Sequence, residues 1–253
     1  MATRRRAAIA LAALGSTAAF ADGYTAADIQ YLIGPDLSHD HPVPIPHLSP
    51  PNNPIDLFTF EVANGWSYGD NFFFSDIDNA PGFDRNRSIY TYSEWHPRLS
   101  AGKISGKDLS VGPISDFLLA GEIDMGSDAE PAYLVGLGTD WKIPGFAFFG
   151  LNLFARKEWG QPSVGFQASP YWLLPFKLGP VKMSFGGWFD FMSGTGNQSM
   201  WWQTQPTLYV DVGNFWGDPG KLETGIEYEY FYNFLGIKNW IYNHPQYVIK
   251  WNI

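Results

Sequence analysis

From Asp56 onward the chain repeats one unit: about ten residues of alternating apolar and polar character, then a turn rich in Gly, Pro, Asn or Asp. Successive side chains on a β-strand point to opposite faces, so each unit reads as a strand with one greasy face. At 181–192, Met183, Phe185, Gly187, Phe189 and Phe191 share one face, and Lys182, Ser184, Trp188 and Asp190 the other. At 221–232, Leu222, Ile226, Tyr228 and Tyr230 alternate with Glu223, Glu227 and Glu229. At 88–99, Ile89, Thr91 and Trp95 alternate with Tyr90, Tyr92, Glu94, His96 and Arg98. The stretch 146–157 sets Ala147, Phe149, Leu151, Leu153 and Ala155 against Phe148, Asn152, Phe154 and Arg156.

A soluble sandwich shows the same alternation with its apolar face turned inward. Length separates the two architectures. Strands in soluble proteins average about 5–6 residues, whereas a tilted strand crossing a bilayer needs ~9–11. Most of these runs span ten to twelve residues. The pattern predicts strands near 28–34, 55–64, 70–78, 88–99, 115–125, 132–142, 146–157, 163–174, 181–192, 200–211, 221–232 and 246–253. Twelve is an even count, which returns both ends to the same side of the membrane, as in single-chain bacterial barrels. The expected fold is all-β: a transmembrane antiparallel up-and-down β-barrel of 12 strands over 22–253. Aromatic residues on the apolar faces, such as Trp95, Trp172, Tyr228 and Trp251, are expected to form the interfacial girdles.

Composition narrows the function classes. The chain has no Cys, so disulfide scaffolds and thiolate metal centres are out. Acids outnumber bases 25 to 16, and no Lys/Arg cluster occurs in the body of the chain, which excludes a nucleic-acid partner. Arg4, Arg5 and Arg6 precede an apolar run from Ala7 to Leu14, and Ala19-Phe20-Ala21 follows the A-x-A pattern of a secretory cleavage site. Residues 1–21 therefore read as a signal peptide, with Asp22 as the mature start. Losing those three arginines leaves 13 bases against 25 acids, a net charge of −12. No later segment offers ~18 uninterrupted apolar residues, so membrane-spanning helices are not expected.

The segment 35–54 contains HDHPVPIPHLSPPNNP, where proline denies the ladder its N–H donors, and it is expected to be an extracellular loop. Its His39, His41 and His47, with Asp40, are read as solvated rather than as a metal site, because spacing on such a loop does not define a closed ligand shell. Ile143-Pro144-Gly145 and Leu178-Gly179-Pro180 are compact turns for the periplasmic side. The connection 100–114 on that side is long enough for a short helix or for a segment lying against the lumen wall.

Three segments, WSYGDNFFFSDID at 66–78, YSEWHPRLSAGKISGKDLS at 92–110 and ETGIEYEYFYN at 223–233, resemble the nucleoside-specific channel-forming outer-membrane proteins, the Tsx and OmpK group. The GDNFFFSD run is the most particular piece. The resemblance implies a monomeric twelve-stranded barrel in the bacterial outer membrane, with a narrow, flattened pore and weak nucleoside sites along it. Two features depart from the family pattern: the Trp251-Asn252-Ile253 terminus and the Pro/His-rich loop.

With the apolar faces on lipid, alternation places Glu61, Phe72, Phe74, Asp76, Tyr90, Tyr92, Glu94, Arg98, Arg156, Trp188, Asp190, Gln203 and Glu227 in the lumen as candidate substrate-binding residues. The same faces present Glu122, Asp124, Asp140, Gln167, Lys182, Gln205, Tyr209, Asp211, Glu223 and Glu229. Rings can stack on a nucleobase, and carboxylates and amides can bond ribose hydroxyls. The acid surplus disfavours anions such as nucleotides. Glu94, His96, Arg98, Arg156 and Lys182 read equally well as an internal ion-pair network. No cofactor and no metal are expected. An enzyme would need a nucleophile beside its base, but Ser93 and His96 are an odd number of residues apart and fall on opposite faces. The competing readings are a surface receptor or structural barrel, and a channel for another small hydrophobic or polar solute.

Overall fold

The computed structural model describes residues 23–35, 55–78, 89–127 and 131–253. Its strands are β1 (Thr25–Gly34), β2 (Ile55–Trp66), β3 (Gly69–Asp78), β4 (Tyr90–Ser100), β5 (Ile114–Gly126), β6 (Ala132–Trp141) and β7 (Phe148–Glu158). There follow β8 (Gly165–Leu178), β9 (Val181–Met192), β10 (Trp201–Thr204), β11 (Thr207–Asp211), β12 (Leu222–Tyr232) and β13 (Ile241–Asn252). Neighbours pair antiparallel, and β1 pairs with β13 from Asp28↔Asn252 to Ile33↔Tyr247, which closes the sheet on itself. No helix among the described residues is long and apolar enough to cross a membrane.

Both β10 and β11 lie between β9 and β12, so they are two halves of one stave. The break falls at Gln205-Pro206, where proline has no N–H to donate. The ladder is bridged there by Gln205 N–H to Trp188 O (3.2 Å) and Tyr228 N–H to Pro206 O (3.0 Å). The barrel therefore has twelve staves, as the alternation predicts.

Several boundaries differ from the sequence reading. The first strand starts at Thr25, three residues early, the eighth runs on to Leu178 instead of ending at 174, and the last starts at Ile241 instead of 246. Pro245 reads as a breaker, yet it sits on the outer face opposite Tyr228, where it costs the ladder only its own N–H. The segment 1–21, expected to be a signal peptide, and positions 36–54 of the Pro/His-rich segment, with His39, Asp40, His41 and His47, lie outside the described residues.

Side-chain placement follows the predicted period. Phe185, Ile226, Leu137, Val135, Leu119 and Ile249 point outward and are exposed, whereas Glu94, Glu227, Asp140 and Arg156 are buried within. A soluble monomer rarely shows so extensive an apolar surface. Lipid is the solvent that suits it, because the closed sheet leaves no edge with unpaired backbone groups. On the outer face Trp202 stacks on Phe189, Tyr230 and Tyr232 near one rim. Near the opposite rim Lys221 lies 5.2 Å from the centre of the Trp251 ring. Trp251 is at a strand end as a girdle residue should be, while Trp95 and Tyr228 lie near the middle of β4 and β12.

The long connection after β4 does hold a short helix, α1 (Ala101–Ser105). Ser100 caps it by accepting the Lys103 N–H (2.9 Å), and Gly106 ends it at φ 65°, a left-handed conformation that glycine adopts without penalty. Asp116 accepts the Gly102 N–H (3.1 Å), and Lys103 Nζ donates to the carbonyls of Trp66 and Gly69 (3.1 Å each). These bonds pin the connection to the rim beside β2, β3 and β5.

Candidate functional site

All thirteen candidate residues lie on the inner face of the barrel, and the structure divides them between two unlike walls. The wall from β3 to β8 is rich in charge. Arg98 of β4 donates Nε to Asp70 Oδ1 (2.7 Å) and Nη1 to Asp140 Oδ1 (2.8 Å), and it also bonds the hydroxyl of Tyr171 on β8. Its guanidinium stands 5.6 Å from the centre of the Tyr171 ring. Nearer the other end, Arg156 binds Asp124 (2.8 Å), Glu158 (3.1 Å) and Gln167 (2.9 Å). Between them His96 contacts Glu94 through Nε2 (2.9 Å) and Glu122 through Nδ1 (3.4 Å).

The facing wall, from β9 round to β2, mixes rings with acids. Lys250 binds Glu223 (2.7 Å) and sits 4.1 Å from the centre of the Tyr209 ring. Tyr209 on β11 donates its hydroxyl to Gln30 on β1 (3.1 Å), a second side-chain bridge. Asp28 and Glu61 are cross-strand partners pointing inward. Toward the long-loop end, Trp188, Met192, Trp201, Phe231, Phe234, Trp240 and Tyr242 form one buried aromatic cluster. Phe234 and Trp240 come from the connection between β12 and β13, which folds its rings inward.

These bridges and clusters leave the lumen tight. Midway, a cavity of about 20 Å³ is lined by Gln30, Glu61, Trp188, Gln205, Tyr209 and Lys250, among others. That is room for about one water. Glu61 is fully buried there beside its cross-strand partner Asp28, and among the described residues Trp188 Nε1 and Gln205 Oε1 have no hydrogen-bond partner. Unsatisfied buried groups cost energy, so a polar molecule entering this space meets acceptors and a donor already stripped of water.

The predicted internal ion pairs are present for Arg98 and Arg156. Ser93 points outward and bonds Ser75 (2.9 Å), while His96 points inward, so the two are not mutually in reach. The candidate set from sequence omits the inner faces of β1 and β13: Asp28, Gln30, Gln246 and Lys250 lie in the strands expected at 28–34 and 246–253, and His244 lies at the start of β13 before them; all five belong to the lumen. The alternation of Asp28, Gln30 and Leu32 carries the signal for β1, whereas Pro245 hides the start of β13. Tyr171, the far anchor of Arg98, shares the inner face of β8 with Gln167, and alternation alone gives no sign that it reaches Arg98.

A closed antiparallel barrel, apolar outside and charged within, with strands long enough to span a bilayer, defines a transmembrane β-barrel of the outer-membrane type. Residues 55–251 match the family described as nucleoside-specific channel-forming protein, Tsx, and the chain belongs to that family. It is similar to the outer membrane protein OmpK of Vibrio parahaemolyticus, 29% identical over 126 residues, covering 47% of this chain and 46% of the relative. A second OmpK, from V. parahaemolyticus serotype O3:K6, is 30% identical over 127 residues, covering 45% of this chain and 46% of the relative. The chain thus spans about half the length of the curated relatives it matches. The family and the barrel together place the protein in the outer membrane.

Proposed function

We propose that this barrel is a passive channel for nucleosides across the outer membrane, acting as a monomer. One observation carries the reading: in the midway cavity the Trp188 and Tyr209 rings stand beside the buried acceptors Glu61, Glu227 and Gln205. A nucleoside has a flat base and a hydroxylated sugar, and it needs a ring for the first and acceptors for the second. Stacking supplies about 1–3 kcal/mol per base by analogy with nucleic-acid binding. Occupancy at that strength is weak enough to allow release, as conduction requires. The solute enters by displacing side chains, since the cavity as it stands holds about one water.

The inner carboxylates outnumber Arg98, Arg156 and Lys250, so nucleotides should be repelled and cations preferred. The family description supports the nucleoside reading, which here extends to the whole chain. A second reading, a surface receptor or structural barrel that conducts nothing, is favoured by the side-chain bridges Arg98 to Tyr171 and Tyr209 to Gln30 inside the lumen. Liposome swelling separates the two. Faster swelling with adenosine or uridine than with sugars of equal size supports the nucleoside channel. Equal, slow rates for both would leave the receptor reading standing.

A further inference from the structure

We propose that Glu94, His96 and Glu122 form a lumenal binding site for a divalent transition-metal ion. The three side chains each offer one donor atom, and these atoms lie within 4.8 Å of one another. Glu94 and His96 project inward from β4, two residues apart, and Glu122 does so from β5, which is registered beside them by Trp95↔Ile123 and Arg98↔Ala120. The strand pairing itself therefore brings the donors together.

The carboxylates are oriented as metal ligands are, from behind. Tyr92 donates its hydroxyl to Glu94 Oε1 (2.6 Å), and Gln167 Nε2 reaches Glu122 Oε1 (3.5 Å). In each case the far oxygen is held by a neutral donor and the near one, Oε2, faces the imidazole. Such outer partners fix the direction and raise the basicity of ligating groups. Among the described residues neither Glu94 nor Glu122 is paired with Lys or Arg, unlike Asp70, Asp124, Asp140 and Glu223. The pair is thus left with a negative charge that only His96 offsets.

The spacing fits. Two donors bound tetrahedrally to one zinc at 2.0–2.1 Å lie about 3.3 Å apart. His96 Nε2 and Glu94 Oε2 are already 2.9 Å apart, so an ion taking the place of that hydrogen bond needs little movement there. Glu122 Oε2 faces Nδ1 and joins the ion by swinging round from it, within the 4.8 Å that encloses the three donors. One imidazole with two carboxylates is a donor set for zinc or a similar transition ion rather than for calcium or magnesium. His96 retains partial exposure to the lumen, so the fourth position is open to water or a passing solute.

The test uses the full barrel in detergent micelles with His39→Ala, His41→Ala and His47→Ala, which removes the loop imidazoles from the measurement. Titration with ZnCl2 by calorimetry should give one ion per barrel. Glu122→Gln and His96→Asn in the same background should each weaken binding at least tenfold, with folding checked by heat-modifiable gel mobility. X-ray absorption at the zinc edge of the parent should show one imidazole and otherwise oxygen donors. No uptake by the parent, undiminished uptake in both variants, or an edge spectrum with two or more imidazoles would overturn the proposal. Should either variant fail to fold, His244→Gln in the same background leaves His96 as the one imidazole, and a zinc edge spectrum there that lacks imidazole would overturn the proposal.

Discussion

Arg98 on β4 and Tyr171 on β8 meet inside the lumen, the guanidinium bonding the phenol and standing 5.6 Å from its ring centre. Three staves, β5, β6 and β7, lie between them along the wall, and the phenol passes over Gly150 of β7 and bonds Asp140 of β6 (3.2 Å), so the contact lies over the inner face of that wall and narrows the bore there. The same guanidinium holds Asp70 and Asp140, which makes one side chain both a cross-bar and the counter-charge of two buried carboxylates.

Removing that side chain should therefore have two effects. Arg98→Ala leaves Asp70 and Asp140 without their cation, which costs about 3–5 kcal/mol when a buried pair is broken on one side. The same change widens the bore, so single-channel conductance should rise. Urea unfolding in lipid vesicles and planar-bilayer recordings measure the two effects. A variant as stable as the parent with unchanged current would remove Arg98 from this role.

Gly150 offers a subtler handle on the same bridge. It is the cross-strand partner of Tyr171, and a Cβ at 150 would overlap the phenol ring and its hydroxyl. Gly150→Ala should push the ring off Arg98 without touching any charge. Its conductance should shift in the same direction as that of Tyr171→Ala, and the double variant should add little to either. Additive increments in bilayer recordings would show that the two positions act separately.

Much of this architecture is legible in the sequence, and the residues say why. The alternation at 221–232 assigns Ile226 to lipid and Glu227 to the lumen, because a period of two leaves no other choice once one face is greasy. The break at Gln205-Pro206 does not disturb that count, since the residues on either side keep their faces. Local pattern fails where contacts reach beyond neighbouring staves. That Arg98 reaches Tyr171, or Tyr209 reaches Gln30, depends on how the sheet curves as it closes and how far each side chain extends. The inward fold of Phe234 and Trp240 was hidden for a related reason: in a connection no alternation says which way a ring turns.

For the proposed nucleoside path, Trp188→Ala and Tyr92→Ala each remove a ring from the lumen wall. Losing one stacking partner at about 1–3 kcal/mol should weaken adenosine block of the current about 5- to 150-fold. Block by a sugar of equal size should change little, because it has no base to stack. Unaltered adenosine block in both folded variants would exclude these rings from the path.

The outer surface makes an independent prediction. Ile226 is 52% exposed and lies mid-strand in β12. Ile226→Arg should destabilise the barrel by about 2–4 kcal/mol in lipid vesicles, the cost of a cation near the bilayer midplane. The change of Trp251, at the rim, to Arg should cost about 0–1 kcal/mol by the same reasoning. Equal costs at the two depths, read by urea titration, would contradict the membrane orientation described above.

The pairing of β1 with β13 has a consequence for assembly. The seam joins the barrel's first strand to its last, so the cylinder cannot seal until β13 has arrived. Until then two ribbon edges stand open, each a template for a stranger's strand. Biogenesis must keep this protein escorted and unsealed in transit, and any fragment lacking β13 should be cleared or aggregate rather than insert as a smaller ring.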